Sequence, residues 1–205
     1  MAPEASAAKR AYEEIKRQIL DGVLPARTRL DMEDLARALG LSSMPVRLAL
    51  SMLTWERLVR PGQHAAYEVA LWPAQDLADL YEWRGELLSL ALPTKAAAHD
   101  LKRIARTQPY AQAVFDVMRL IGEGANLELD RAALNADERL QSARMIEAEV
   151  MGDVQAEFET LVTAIADRSK RTSTLVKSYH RRRMQHATAL RERIAMHALP
   201  QNGPR

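Results

Sequence analysis

Cysteine is missing from all 205 residues. That excludes disulfides and thiolate metal sites, and it fits a reducing cytoplasm. Glycine is scarce, with 8 residues, and aromatics make up only 5%. Ala, Leu and Arg are common instead, a balance that favours helix over sheet. No run of about 18 apolar residues occurs, so no membrane-spanning helix is expected. The first ten residues, MAPEASAAKR, lack an apolar signal core. No nucleophile–base constellation, phosphate loop or catalytic carboxylate pair stands at a persuasive spacing. The expectation is a cytoplasmic protein that is not an enzyme and works without a membrane.

Hydrophobic residues form 47% of the chain, enough for one large domain or two small ones. The net charge of +2 is unevenly spread. Residues 1–70 hold 10 basic and 9 acidic residues, residues 71–170 hold 11 and 17, and residues 171–205 hold 8 and 1. The basic end reads either as a solvated face or as a contact with an anionic surface such as nucleic acid.

Periodicity predicts mostly helix. Tyr12, Ile15, Ile19 and Leu20 share one face, and Gly22 follows as a stop. Asp31 is placed to cap MEDLARAL, which ends at Gly40. A short turn leads to a further helix that Ser42 or Ser43 can cap, with Pro45 in its first turn, where a missing N–H costs nothing. Val46, Ala49, Leu50 and Leu53 form its apolar stripe, and Arg47 lies off it. Leu58 and Val59 then start a short strand, Pro61 and Gly62 a turn, and Tyr67 and Val69 a returning strand. Three helices and a small hairpin make a winged helix-turn-helix. WPAQD reads as a linker, and everything from Asp76 reads as helical. One helix is expected to stop near Pro93. The stretch LELD to EAEV is expected to be long and amphipathic, either continuous or broken, and a closing helix is expected over 174–198. PQNGPR reads as a disordered tail. The fold class is therefore mainly α: a winged helix-turn-helix domain over 1–72 and an all-helical bundle over 76–200.

The stretch LARALGLSSMPVRLALSML resembles the DNA-binding module of the GntR family of bacterial transcription regulators. Leu35, Ala36, Leu39, Gly40, Ser42, Pro45, Val46, Arg47, Ala49, Leu50, Leu53, Leu58 and Val59 stand where that pattern expects them. Upstream, ILDGVLPARTRL resembles the family's first helix and turn, with Ala26 for a glycine. The resemblance implies a recognition helix in the major groove of a double-stranded operator, with its N-terminal residues nearest the bases. The DNA-contacting residues it points to are Ser42, Ser43, Met44, Arg47 and, in the wing, Gln63 and His64. Ser43 replaces an arginine that the family uses on DNA, Met44 a threonine and Leu48 a glutamate.

The stretch DLADLYEWRGELLSLAL resembles the start of the FCD-type effector domain of the FadR subfamily, through Tyr81, Glu82, Arg84 and Leu87. That implies a homodimer and a helical bundle around a small organic-acid effector, often beside a metal held by one Asp and three His. Here Asp130 remains, but Leu134 stands where a histidine is expected, and His186 matches a third ligand. No metal and no cofactor are expected. Arg84, Asp130 and His186 remain as effector-binding candidates. The alternative is a degenerate helical domain that serves only dimerisation or protein contacts.

Overall fold

The computed structural model describes residues 3–62, 66–92 and 98–198. Gln63 and His64, the expected stop at Pro93 and the PQNGPR tail lie outside the described residues. The chain divides into two compact units, residues 1–71 with 194–205, and residues 72–193.

The first unit opens with α1 (Pro3–Leu20), followed by β1 (Arg29–Leu30), α2 (Met32–Leu39), α3 (Ser43–Trp55), β2 (Val59–Pro61) and β3 (Tyr67–Val69). The strands form an antiparallel sheet in the order β1-β3-β2, with Leu30 opposite Tyr67 and Arg60 opposite Glu68. An Arg60–Glu68 ion pair of 2.8 Å ties the β2–β3 ribbon. β1 is only two residues long, too short for an alternating pattern, and the expected hairpin does not include it. Pro61 is the last residue of β2 rather than part of the turn. It is tolerated because β2 is an edge strand and needs no second ladder bond there.

Helix α3 is the spine of this unit. Val46, Ala49, Leu50 and Leu53 are fully buried, and Ala11 and Ile15 of α1 and Leu30 of β1 belong to the same core. Tyr12 of α1 donates to Glu56, just beyond α3, at 2.5 Å, and Lys16 pairs with the same carboxylate at 3.0 Å. Asp31 caps α2 by accepting from the N–H groups of Glu33 and Asp34, which satisfies two donors that the helix itself cannot.

The described residues of the second unit form helices joined by turns and no strand. It comprises α4 (Ala74–Ala91), α5 (Ala98–Thr107), α6 (Tyr110–Glu123), α7 (Leu127–Arg144), α8 (Glu147–Met151), α9 (Val154–Ala166), α10 (Thr172–Gln185) and the start of α11 (Ala187–His197). Its core joins Leu88, Leu101, Met118, Ile121, Phe158 and Val162. The stretch LELD to EAEV is broken at Ile146, whose backbone (φ −115°, ψ 0°) leaves the helix. The single closing helix expected over 174–198 is two helices. His186 (φ −98°, ψ 6°) ends α10, and its N–H is shared between the carbonyls of Arg182 and Arg183. Apolar spacing carries on through that break, so periodicity could not reveal it.

Candidate nucleic-acid interface and a buried polar centre

Gly40 and Ser42 bound the short turn between α2 and α3. Gly40 ends α2 in the left-handed conformation (φ 63°), which a side chain resists. Leu41 then donates back to Ala36 at 2.9 Å, closing a tight turn. Ser42 is extended (φ −79°, ψ 166°) at the cap position of α3, but its side chain makes no cap hydrogen bond. The first N–H groups of α3 have no partner within the helix. With the positive end of the helix dipole they form a surface suited to a phosphate.

Pro45 and Val46 turn inward, and Ser42, Ser43, Met44, Arg47 and Leu48 are exposed. Four of the six expected DNA contacts, Ser42, Ser43, Met44 and Arg47, thus lie together at the start of α3. The opposite side of the same two turns is anchored in the core by Val46, Ala49 and Leu50. Across the β2–β3 turn, Gly62 donates to Ala66 at 2.8 Å; Gln63 and His64 of that turn lie outside the described residues.

The second unit holds a cluster of buried charges. Arg84 on α4 meets Asp137 on α7 in a two-pronged pair, Nε to Oδ1 at 2.7 Å and Nη2 to Oδ2 at 3.0 Å. Arg144 donates to the same Asp137 Oδ1 at 2.6 Å. All three side chains are almost wholly enclosed. Burial works against the Asp137 charge, but Arg84 and Arg144 outweigh it and hold its carboxyl below the usual range. Arg84 Nη1 is buried with no acceptor.

Beside this lies a second ionic knot. Arg183 on α10 donates to Glu147 at 2.8 Å, to Glu157 at 3.0 Å and to the Tyr110 hydroxyl at 2.7 Å. Its guanidinium also stands 3.3 Å from the Tyr179 ring centre. Tyr81 donates to Glu147 at 2.6 Å, and Tyr110 makes a short hydrogen bond to the same carboxylate. Burial raises the Tyr179 hydroxyl to about 12. His180, one residue on, is buried, and its Nδ1 lies 2.9 Å from the Val176 carbonyl. Burial, joined by the nearby Arg84, Arg183 and Arg144 charges, lowers its pKa to about 3. His180 is neutral at physiological pH.

The three effector candidates come from different parts of the helical unit: Arg84 from α4, Asp130 from α7 and His186 from the α10–α11 junction. Arg84 is clamped by Asp137. Asp130 is half-buried near the start of α7, with Gly122 of α6 beside it: a Cβ on that glycine would lie 2.9 Å from Asp130 Oδ1. His186 is half-buried at the α10–α11 junction, its Nδ1 2.8 Å from the Arg182 carbonyl. Among the described residues no group of three or more His, Asp or Glu side chains converges as a metal site. Sequence reasoning missed Asp137, Arg144, Glu147, His180 and the central role of Arg183. A signal existed: these residues fall on apolar stripes. Arg84 sits between Tyr81 and Leu88, and Asp137 between Ala133 and Leu140. Charges at such positions are paired when buried.

Residues 7–69 match the model of bacterial regulatory proteins of the gntR family. No curated protein matches the chain. Among solved structures, a candidate transcriptional regulator GntR from Rhodococcus sp. RHA1 is 18% identical, with a TM-score of 0.76, over 90% of this chain and 98% of that one. E. coli McbR/YncC is 17% identical, with a TM-score of 0.65, over 89% and 97%. Lar, which controls expression of the agr system in Listeria monocytogenes, is 18% identical, with a TM-score of 0.53, over 89% and 97%. Over residues 7–69 the chain is similar in sequence to bacterial regulatory proteins of the gntR family, and over nine-tenths of its length it shares the fold of the Rhodococcus structure.

Proposed function

We propose that this chain is a DNA-binding transcription regulator that docks α3 in the major groove of a near-palindromic operator as a homodimer. The observation that carries the reading is the start of α3. Ser42, Ser43, Met44 and Arg47 face outward from a helix whose other side is sealed in the core. Phosphate contacts there fix the register, and Arg47 supplies either a phosphate contact or a paired bond to guanine. A two-fold symmetric dimer calls for two symmetric half-sites about one helical turn apart. The test is selection from a random-sequence duplex pool with the full chain, with sedimentation of the protein alone and on DNA. The reading predicts one enriched, inverted-repeat site bound two chains to one duplex. A random pool after several rounds would contradict it.

We further propose that the 76–200 domain is of the FCD type and tunes operator affinity through a small organic acid. Support comes from the Arg84 side of the buried centre, where two guanidiniums share one carboxylate and Arg84 Nη1 lacks an acceptor. A carboxylate ligand would satisfy that donor. A second reading, dimerisation or protein contact alone, is favoured by the two-pronged clamp of Asp137 on Arg84, which already serves most of that guanidinium. Operator affinity measured with and without a panel of small mono- and dicarboxylates separates the two. A shift with at least one acid supports the effector reading, and none across the panel supports the other.

A further inference from the structure

Helix α3 exposes four large apolar side chains at spacings of 4, 4 and 3: Met44 (57% exposed), Leu48 (47%), Met52 (46%) and Trp55 (89%). Isolated exposed apolar residues need no explanation, but a stripe along one helix does. Its first two members flank Arg47 on the turns that bear the outward serines. None of the four belongs to the core of its unit.

The major groove offers an apolar side chain little to touch. Base edges there are donors and acceptors, except for the 5-methyl group of thymine. Pressed onto cytosine or guanine, Met44 or Leu48 would strip water from a polar edge and return no hydrogen bond. Against a thymine methyl, the same contact buries apolar surface on both sides. The spacing also fits. Four residues of helix rise about 6 Å, close to two base-pair steps of about 3.4 Å each.

Resting on the reading of α3 as the DNA-entering helix, we propose that Met44 and Leu48 read thymine 5-methyl groups in the major groove. The operator half-site then carries thymines about two base pairs apart, next to the phosphate or guanine that Arg47 contacts. The apolar contacts read sequence, whichever of the two Arg47 holds.

The test works on the DNA, where protein folding cannot interfere. Duplexes of the selected site are made with each thymine replaced in turn by deoxyuridine, which deletes only the methyl. Affinity of the full chain is measured at one fixed salt concentration. Two positions per half-site should weaken by roughly three- to five-fold each, the worth of one buried methyl. Met44→Ala and Leu48→Ala should each abolish the effect at one of those positions and leave the salt slope unchanged, because no phosphate contact is lost. If every deoxyuridine duplex binds like its parent while binding stays sequence-specific, the methyl-reading inference falls and the α3 reading stands. The inference is equally overturned if Met44→Ala or Leu48→Ala alters self-association instead of thymine sensitivity, since the stripe would then be a contact between copies. Failure to enrich any site would overturn both.

Discussion

Asp137 accepts from two guanidiniums at once and is almost completely enclosed. Removing it leaves Arg84 and Arg144 charged and without their counter-ion, and an uncompensated buried charge costs about 3–5 kcal/mol. Asp137→Ala should therefore lower unfolding free energy by about that amount in urea melts, far more than a surface Asp→Ala. His180 makes a second residue-scale prediction. Its folded pKa is about 3 against an ordinary value of 6.5. Between those values the unfolded chain binds a proton that the folded chain refuses, so stability falls as pH drops through that window. At pH 5 the loss is roughly 2 kcal/mol relative to pH 7.5, at about 1.4 kcal/mol per unit. His180→Gln should flatten the difference between urea midpoints at pH 7.5 and 5.0. An unchanged difference would mean that the histidine does not carry it.

Helices α4 and α10 come together where Gly85 meets His180. A Cβ on Gly85 would lie 3.0 Å from the ring Cγ, and His180 is held in place by its bond to Val176. Replacing glycine by alanine within a helix returns about 1 kcal/mol of propensity, while forcing packed elements apart costs about 1–3 kcal/mol. Gly85→Ala should therefore lower the melting temperature, and a rise would show that His180 gives way freely. The elements differ in how clearly the sequence announces them. The α3 stripe, the Asp31 cap and the Gly40 stop are legible because each depends on near neighbours along the chain. β1 is not, because its two residues exist as a strand only through pairing with β3. Nor is the break at His186, because Leu190 keeps the apolar spacing of α10.

For the whole molecule, the two units differ in what their sequence discloses. The outward face of α3 follows from helical spacing, so the order of residues alone puts Ser43, Met44 and Arg47 on it. The buried centre of residues 72–193 depends on side chains from α4, α6, α7, α8, α9 and α10 meeting in space, as Tyr110, Glu147 and Arg183 do from three different helices. No local pattern encodes that meeting. The basic run of Arg181, Arg182 and Arg183 illustrates the difference. Arg181 is exposed, but Arg182 pairs with Asp153 and Glu157, and Arg183 is fully buried. Two of the three charges are therefore used inside the helical unit. Neutralising all three should disturb its stability or assembly before it alters the salt dependence of DNA binding, as urea melts and sedimentation set against a salt titration would show.

Arg47 is the sharpest probe of the start of α3 as the DNA-reading surface. The side chain is exposed and lies off the core stripe, so Arg47→Ala should keep the circular dichroism and melting temperature of the parent. Affinity for the selected operator, measured at one fixed salt concentration, should fall by about 1–3 kcal/mol if the arginine pairs with a base. A folded Arg47→Ala variant that binds the operator with parental affinity would rule out this docking of α3.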